Sequence, residues 1–278
     1  MDIQLADQRI FALSEKLTAD QAKLRAMDKR VNIFISGIGS MLLQRPKLEE
    51  IELIGTQKRF EPFWHVVCAT RHVYDRTSKF NVPATGAEVK SITLQGTDYP
   101  VTNRMFNLTA LEHCIEENKQ QIFVNGVSGE KEELSTLIGG AKNEVTDLSA
   151  FTADGQVVVV PPETRASFVV RQILQPMLKP VQADVIHEET VIIEAVDLYY
   201  RPIYAFEFKW KPKDKTGVAE FDGVTGEMRN AKALLQQMNI PLTRNALFDI
   251  GADTLGMLVP GANIALKLAR VAIDKDKY

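Results

Sequence analysis

The sequence predicts an α+β fold: two related helix-plus-antiparallel-sheet modules, a helical N-terminal arm before them and a C-terminal helical segment after. Two observations lead there. Glu61-Pro62-Phe63-Trp64 and Arg201-Pro202-Ile203-Tyr204 open stretches that align without a gap at an offset of 202 − 62 = 140, and both run on to Thr-Gly, at Thr85-Gly86 and Thr225-Gly226. Upstream at the same offset, Glu49, Ile51, Leu53 and Phe60 stand opposite Glu189, Val191, Ile193 and Tyr200. In each copy the order reads helix, then three strands, as for a unit used twice. With 278 residues, 45% of them hydrophobic and 25% charged, the chain can bury a core. At roughly 100–200 residues per domain it accommodates two small domains.

Taken in order, apolar residues at Ile10, Leu13, Leu17, Leu24, Met27, Val31 and Phe34 fall at helical spacing. They predict an amphipathic helix, assigned to an arm over residues 1–28, whose stripe would also suit a homo-oligomeric seam. Arg45-Pro46 ends the helical pattern. The first module, residues 29–156, carries strands from Ile51 and from Phe63 to Ala69, a polar turn from Arg71 to Ser78, and a strand from Lys79 to Val82. Its insertion holds a helix near Leu108 to Asn118, a strand at Gln121 to Val124, and turns at Asn125-Gly126 and Ser128-Gly129. After Val157 to Val160, Pro161-Pro162 marks a boundary. The second module, residues 157–232, repeats the order: a helix from Ser167 to about Leu174, strands at Val191 to Tyr200 and Ile203 to Trp210, a Lys211 to Gly217 turn, and Val218 to Phe221. Residues 233–278 contain a small-residue apolar stretch split by Pro260-Gly261, then a helix from about Ala262 to Ile273.

Tyr204-Ala205-Phe206-Glu207-Phe208, a turn, and Ala219-Glu220-Phe221-Asp222-Gly223-Val224-Thr225-Gly226-Glu227 resemble the PepSY-type module, a small helix-and-sheet unit whose final strand ends in Asp-x-x-Thr-Gly. The resemblance covers mainly residues 185–230, with a weaker second copy near 45–90 where Val82 stands in place of Asp222. It implies a non-catalytic binding or inhibitory unit. Read physically, Tyr204, Phe206 and Phe208 put three aromatics on one face of a strand, and Gly223 and Gly226 suit the turn that follows.

A net charge of −3 and a pI near 5.9 do not suggest a phosphate-binding surface, so nucleic acid is not an expected partner. Cys68 and Cys114 are too few for a disulfide framework, which points to a reducing compartment, although one bridge between them stays open. The first residues are acidic where a secretory signal would be basic, and no run approaches about 20 apolar residues; a cytoplasmic location is expected.

The expected function is a non-enzymatic interaction or scaffold protein for a protein or peptide partner. Its binding residues would be Trp64, Tyr204 and Trp210, with Lys209, Lys211 and Lys213 at the second hairpin tip. No cofactor and no metal are expected, because His65, Cys68, His72, His113 and Cys114 lack zinc-ligand spacing. Ser128 among glycines does not make a nucleophile elbow, and Gly139-Gly140-Ala141-Lys142 is not a phosphate loop. Two alternatives stay open: a metal- or thiol-dependent hydrolase using His65 or His113, and peripheral membrane attachment through residues 255–273.

Overall fold

The computed structural model describes residues 1–35, 45–146 and 157–229. Among them 55% are strand and 19% helix, and nine strands join in one mixed sheet, with a further sheet of two strands. This overturns the expected α+β class of helix-plus-sheet modules with helical arms: the described residues are predominantly β. The expected C-terminal helical segment, with the apolar stretch proposed for membrane contact, lies outside the described residues.

In chain order the elements are β1 (Asp2–Leu5), β2 (Gln8–Leu13), α1 (Ala19–Ile35), β3 (Ile51–Pro83), β4 (Ser91–Leu94), β5 (Thr97–Pro100) and β6 (Met105–Asn125). Then follow α2 (Ser135–Ile138), β7 (Lys142–Glu144), β8 (Val157–Val159), α3 (Ala166–Met177), β9 (Val185–Trp210), β10 (Lys215–Asp222) and β11 (Met228–Arg229). One path through the sheet runs β11-β10-β9-β2-β7. β2 lies parallel to β9, and β10 antiparallel to it.

Three local expectations fail for one reason, that pairing with a distant strand outweighs local spacing. The arm expected to be helical over residues 1–28 begins with two strands. Ile10 and Leu13 fit a helical period, but Phe11 and Leu13 also alternate, and β2 buries both against β9 with Arg9 held by Asp197 through two 3.0 Å hydrogen bonds. The helix starts only where Thr18 and Gln21 cap it reciprocally: Gln21 N–H donates to Thr18 Oγ1 at 3.3 Å and Thr18 N–H to Gln21 Oε1 at 3.2 Å. Thr18→Ala should lower stability by about 1 kcal/mol, visible as a reduced urea midpoint at unchanged slope.

The segment expected as a helix at 108–118 is strand within β6, and the turn expected at 71–78 is strand within the 33-residue β3. Arg71 pairs with Glu117, and Arg76 with Glu112 at 2.5 Å, so the polar residues that resemble a turn are cross-strand partners. Likewise β9 runs unbroken through Pro202, which separates two strands in the sequence reading.

The chain divides into two compact units. The first comprises Met1–Leu5, Cys68–Gln120 and Leu174–Glu194; the second comprises Ala6–Val67, Gln121–Ile173 and the chain from Ala195. In the second unit α1 lays the fully buried Ala22 and Ala26 on Phe206, Phe208 and Phe221 of β9 and β10. A second cluster stacks Phe11 and Phe63 each on Tyr199, with ring centroids 5.2 Å apart in both pairs, and includes Leu134 just before α2 and Leu137 within it. Each large apolar side chain so buried contributes about 1.5–3 kcal/mol.

Candidate functional site

Two loops of the second unit are built alike. Asn125-Gly126-Val127-Ser128-Gly129-Glu130 follows β6, and Asp222-Gly223-Val224-Thr225-Gly226-Glu227 follows β10. Asn125 Oδ1 accepts from the N–H groups of Val127 and Ser128 at 2.9 and 3.0 Å; Asp222 Oδ1 accepts from Val224 and Thr225 at 2.8 and 3.1 Å. The hydroxyls of Ser128 and Thr225 accept from the N–H of Glu130 and Glu227, each at 3.2 Å. Gly129 and Gly226 both sit at φ +74°, where glycine is favoured. The N–H of Gly126 donates to the Pro62 carbonyl at 2.9 Å, and that of Gly223 to the Pro202 carbonyl at 2.8 Å.

The counterpart of Thr225-Gly226 is therefore Ser128-Gly129 and not Thr85-Gly86. The offset is 202 − 62 = 140 at the prolines and 222 − 125 = 97 at the loops, a difference of 43 residues that an ungapped alignment cannot cross. Asp222 and Thr225, which with Gly226 carry the family resemblance, spend side-chain hydrogen bonds on closing their own loop.

Glu61 and Arg201, the residues before those two prolines, meet in a buried charge network. Glu61 accepts from Arg59 Nε at 2.8 Å and from Arg229 Nη1 at 2.5 Å, and Arg201 Nη2 lies 3.7 Å from it. Arg59, fully buried, also donates to Glu220. Burial pushes the Glu61 carboxyl up, but Arg229, Arg59 and Arg201 outweigh it and hold the group at about 2. Burial wins at Glu220, whose carboxyl is raised. Such a network fixes strand geometry; buried ions in salt bridges are not in themselves a reactive site.

The structure places the expected binding residues mostly inside. Trp64, Tyr204 and Trp210 are buried, with Trp64 Nε1 donating to the Thr164 carbonyl at 2.8 Å, Tyr204 hydroxyl to Glu15, and Trp210 Nε1 to Glu50 at 3.1 Å. Lys209 pairs with Asp214 at 2.9 Å and Lys211 with Glu52 at 3.0 Å, while a turn of 3₁₀ helix at Lys211–Lys213 breaks the alternation that would have aligned the lysines on one face.

The residues of the hydrolase reading are dispersed. His65 belongs to the second unit, stacked on Phe123 at 4.6 Å and bonded to Gln121 at 3.0 Å, and burial shifts it toward the neutral form. Cys68, His72, His113 and Cys114 belong to the first unit. Burial lifts the Cys68 thiol to about 11, away from a reactive thiolate. His113 Nδ1 and His187 Nε2 instead flank Asp75 at 2.7 and 2.8 Å. Among the described residues no group of three His, Cys, Asp or Glu is set to hold a metal ion.

What the residues do assemble is an open groove of about 350 Å³ in the second unit, between the Ser128-Gly129 turn and the start of α3. Arg165, Arg171, Ser167 and Phe168 line it, with Glu163 and Thr164. Neither guanidinium forms an ion pair or hydrogen bond among the described residues, and Phe168 is left 47% exposed. The corresponding stretch of α1 closes on itself through Thr18 and Gln21, and its Arg25 donates to the Gly226 carbonyl at 2.7 Å, where α3 offers Gln172 to Gly129 at 3.4 Å. At α3 the residues in the Thr18 and Gln21 places are Arg165 and Phe168, and its first turn carries no acidic side chain. That substitution of a capping pair by a cation and an aromatic is the sequence signal for the groove. Chemically the groove can hold a carboxylate between guanidinium and hydroxyl donors while an apolar group covers Phe168.

Comparison with known proteins finds no match for this chain among protein-family models, curated proteins or solved structures. No described helix is long and apolar enough to cross a membrane.

Proposed function

We propose that the protein is a non-enzymatic, PepSY-like interaction protein of the cytoplasm that binds an acidic segment of a partner polypeptide in the α3 groove. The observation that carries this reading is the pair of guanidiniums, Arg165 and Arg171, without partners among the described residues, beside the exposed Phe168. Arginine with an aromatic is the combination enriched where proteins meet partners. The Asp222–Glu227 loop supports a non-catalytic role, since its polar groups are engaged internally. Cys68 and Cys114, both free thiols, support a reducing compartment.

The test is fluorescence anisotropy with a labelled peptide of alternating Glu and Leu, beside the same peptide with Gln for Glu. The acidic peptide should bind and the neutral one should not. Arg165→Glu with Arg171→Glu should weaken the acidic peptide at least about tenfold, with an unchanged circular dichroism spectrum. Equal binding of the two peptides, or an unaffected double variant, would sink the reading.

A further inference from the structure

We infer that the open face of the first unit is a self-complementary surface on which a second copy of this chain docks. Along β3, Arg71, Val73 and Asp75 share one face, because alternate residues of a strand point the same way. Along β6 the same holds for Glu117, Ile115 and His113. Arg71 pairs with Glu117 and with Glu188 of β9, and Asp75 accepts from His113 Nδ1 at 2.7 Å and from His187 Nε2 of β9 at 2.8 Å, so the strands present these residues side by side. The result is a checkerboard of two rows. Arg71 between Glu117 and Glu188 forms one row, a cation flanked by anions; Asp75 between His113 and His187 forms the other, an anion flanked by donors.

Between the rows stands Ile115, 65% exposed although a strand residue of this size is ordinarily buried. A twofold axis lying between two such faces, across the strands at the level of Ile115, brings each row of one copy onto the other row of its mate. Arg71 then meets Asp75 of the second copy, Glu117 meets His113, and Ile115 meets Ile115. This is the isologous arrangement of a twofold dimer, in which one patch is its own complement. A foreign partner would have to reproduce the alternation; a second copy carries it already. The outer partners on this face are well exposed, Glu117 at 64% and His113 at 77%, while Arg71 stands at 42% and Asp75 at 16%, so the pairs contribute little where they stand and gain when an interface excludes water.

Sedimentation velocity of the full chain across micromolar concentrations should show a mass that doubles as concentration rises. Ile115→Asp should remain monomeric over the same range with an unchanged circular dichroism spectrum. Reversing one row, Arg71→Glu with Glu117→Arg and Glu188→Arg, should also give a monomer, because like charges then face each other. Adding Asp75→Arg, His113→Glu and His187→Glu reverses both rows and should restore the dimer. A wild-type chain that stays monomeric overturns the proposal, as does an Ile115→Asp or one-row variant that still dimerises, or a two-row variant that does not.

Discussion

Glu61→Gln is expected to cost about 3–5 kcal/mol at neutral pH, the largest single effect among these predictions, because it withdraws the carboxylate shared by Arg59, Arg229 and Arg201 in the interior. The loss is mainly the penalty of leaving buried guanidiniums without their counter-charge. Replacing Arg59, Glu61, Glu220 and Arg229 together by apolar residues of similar volume should be far milder, since Arg201 keeps Glu132 and Asp222 at 3.7 and 3.8 Å.

The pH dependence follows from the same geometry. Glu61 is held at about 2, below the ordinary 4.5, so its ionised form stabilises the fold in full above about pH 4.5, and that contribution drains away as the pH falls toward 2. Over this window the loss amounts to about 3 kcal/mol. Glu220 has the opposite sign. Its carboxyl is raised by burial, so on acidification it takes up a proton in the folded state first, and its protonation favours the fold. Urea midpoints at pH 7, 5 and 3 should therefore show a wide gap between wild type and Glu61→Gln that has narrowed by pH 3. A gap independent of pH would mean that Glu61 is not the group held low.

Much of the local chemistry is legible in the sequence. The Pro-aromatic openings, the turns at Asn125-Gly126 and Ser128-Gly129, and the strand character around Phe63 and Phe206 can all be read from the residues. Less legible is whatever joins positions far apart. Arg59 and Glu220 are separated by 161 positions, and Asp75 lies 38 from His113 and 112 from His187. No spacing rule connects them. The N-terminal segment and β6 mislead for another reason: Ile10 with Leu13, and Leu108 with Leu111 and Ile115, satisfy a helical period by chance, and only pairing with β9 or β3 decides for strand. Trp64, Tyr204 and Trp210 look like binding aromatics because sequence cannot show that each indole or hydroxyl already has an internal acceptor. The groove was within reach: Thr18-x-x-Gln21 against Arg165-x-x-Phe168 is a visible contrast once the two loops are aligned with a gap.

Gly126→Ala and Gly223→Ala test that alignment directly, and each should cost about 2–4 kcal/mol. A Cβ on Gly126 would stand 2.8 Å from the Pro62 carbonyl oxygen, and one on Gly223 would stand 2.9 Å from that of Pro202. Those oxygens are the ones that accept the glycine N–H groups. The methyl must therefore push away its own hydrogen-bond acceptor, combining an overpacking cost of about 1–3 kcal/mol with a lost bond worth about 1 kcal/mol. Urea denaturation should give similar losses at the two sites, since the same contact is broken in each loop; a loss below about 0.5 kcal/mol at either would show that its loop does not bear on the proline. The two variants should part company in binding. Gly126 is two residues from Ser128 and three from Gly129, both of which line the groove, whereas Gly223 lies in the loop served by the capped helix α1. The folded fraction of Gly126→Ala should hold the acidic peptide more weakly than wild type, and that of Gly223→Ala should hold it equally well. Equal weakening by both would place the peptide elsewhere than the α3 groove.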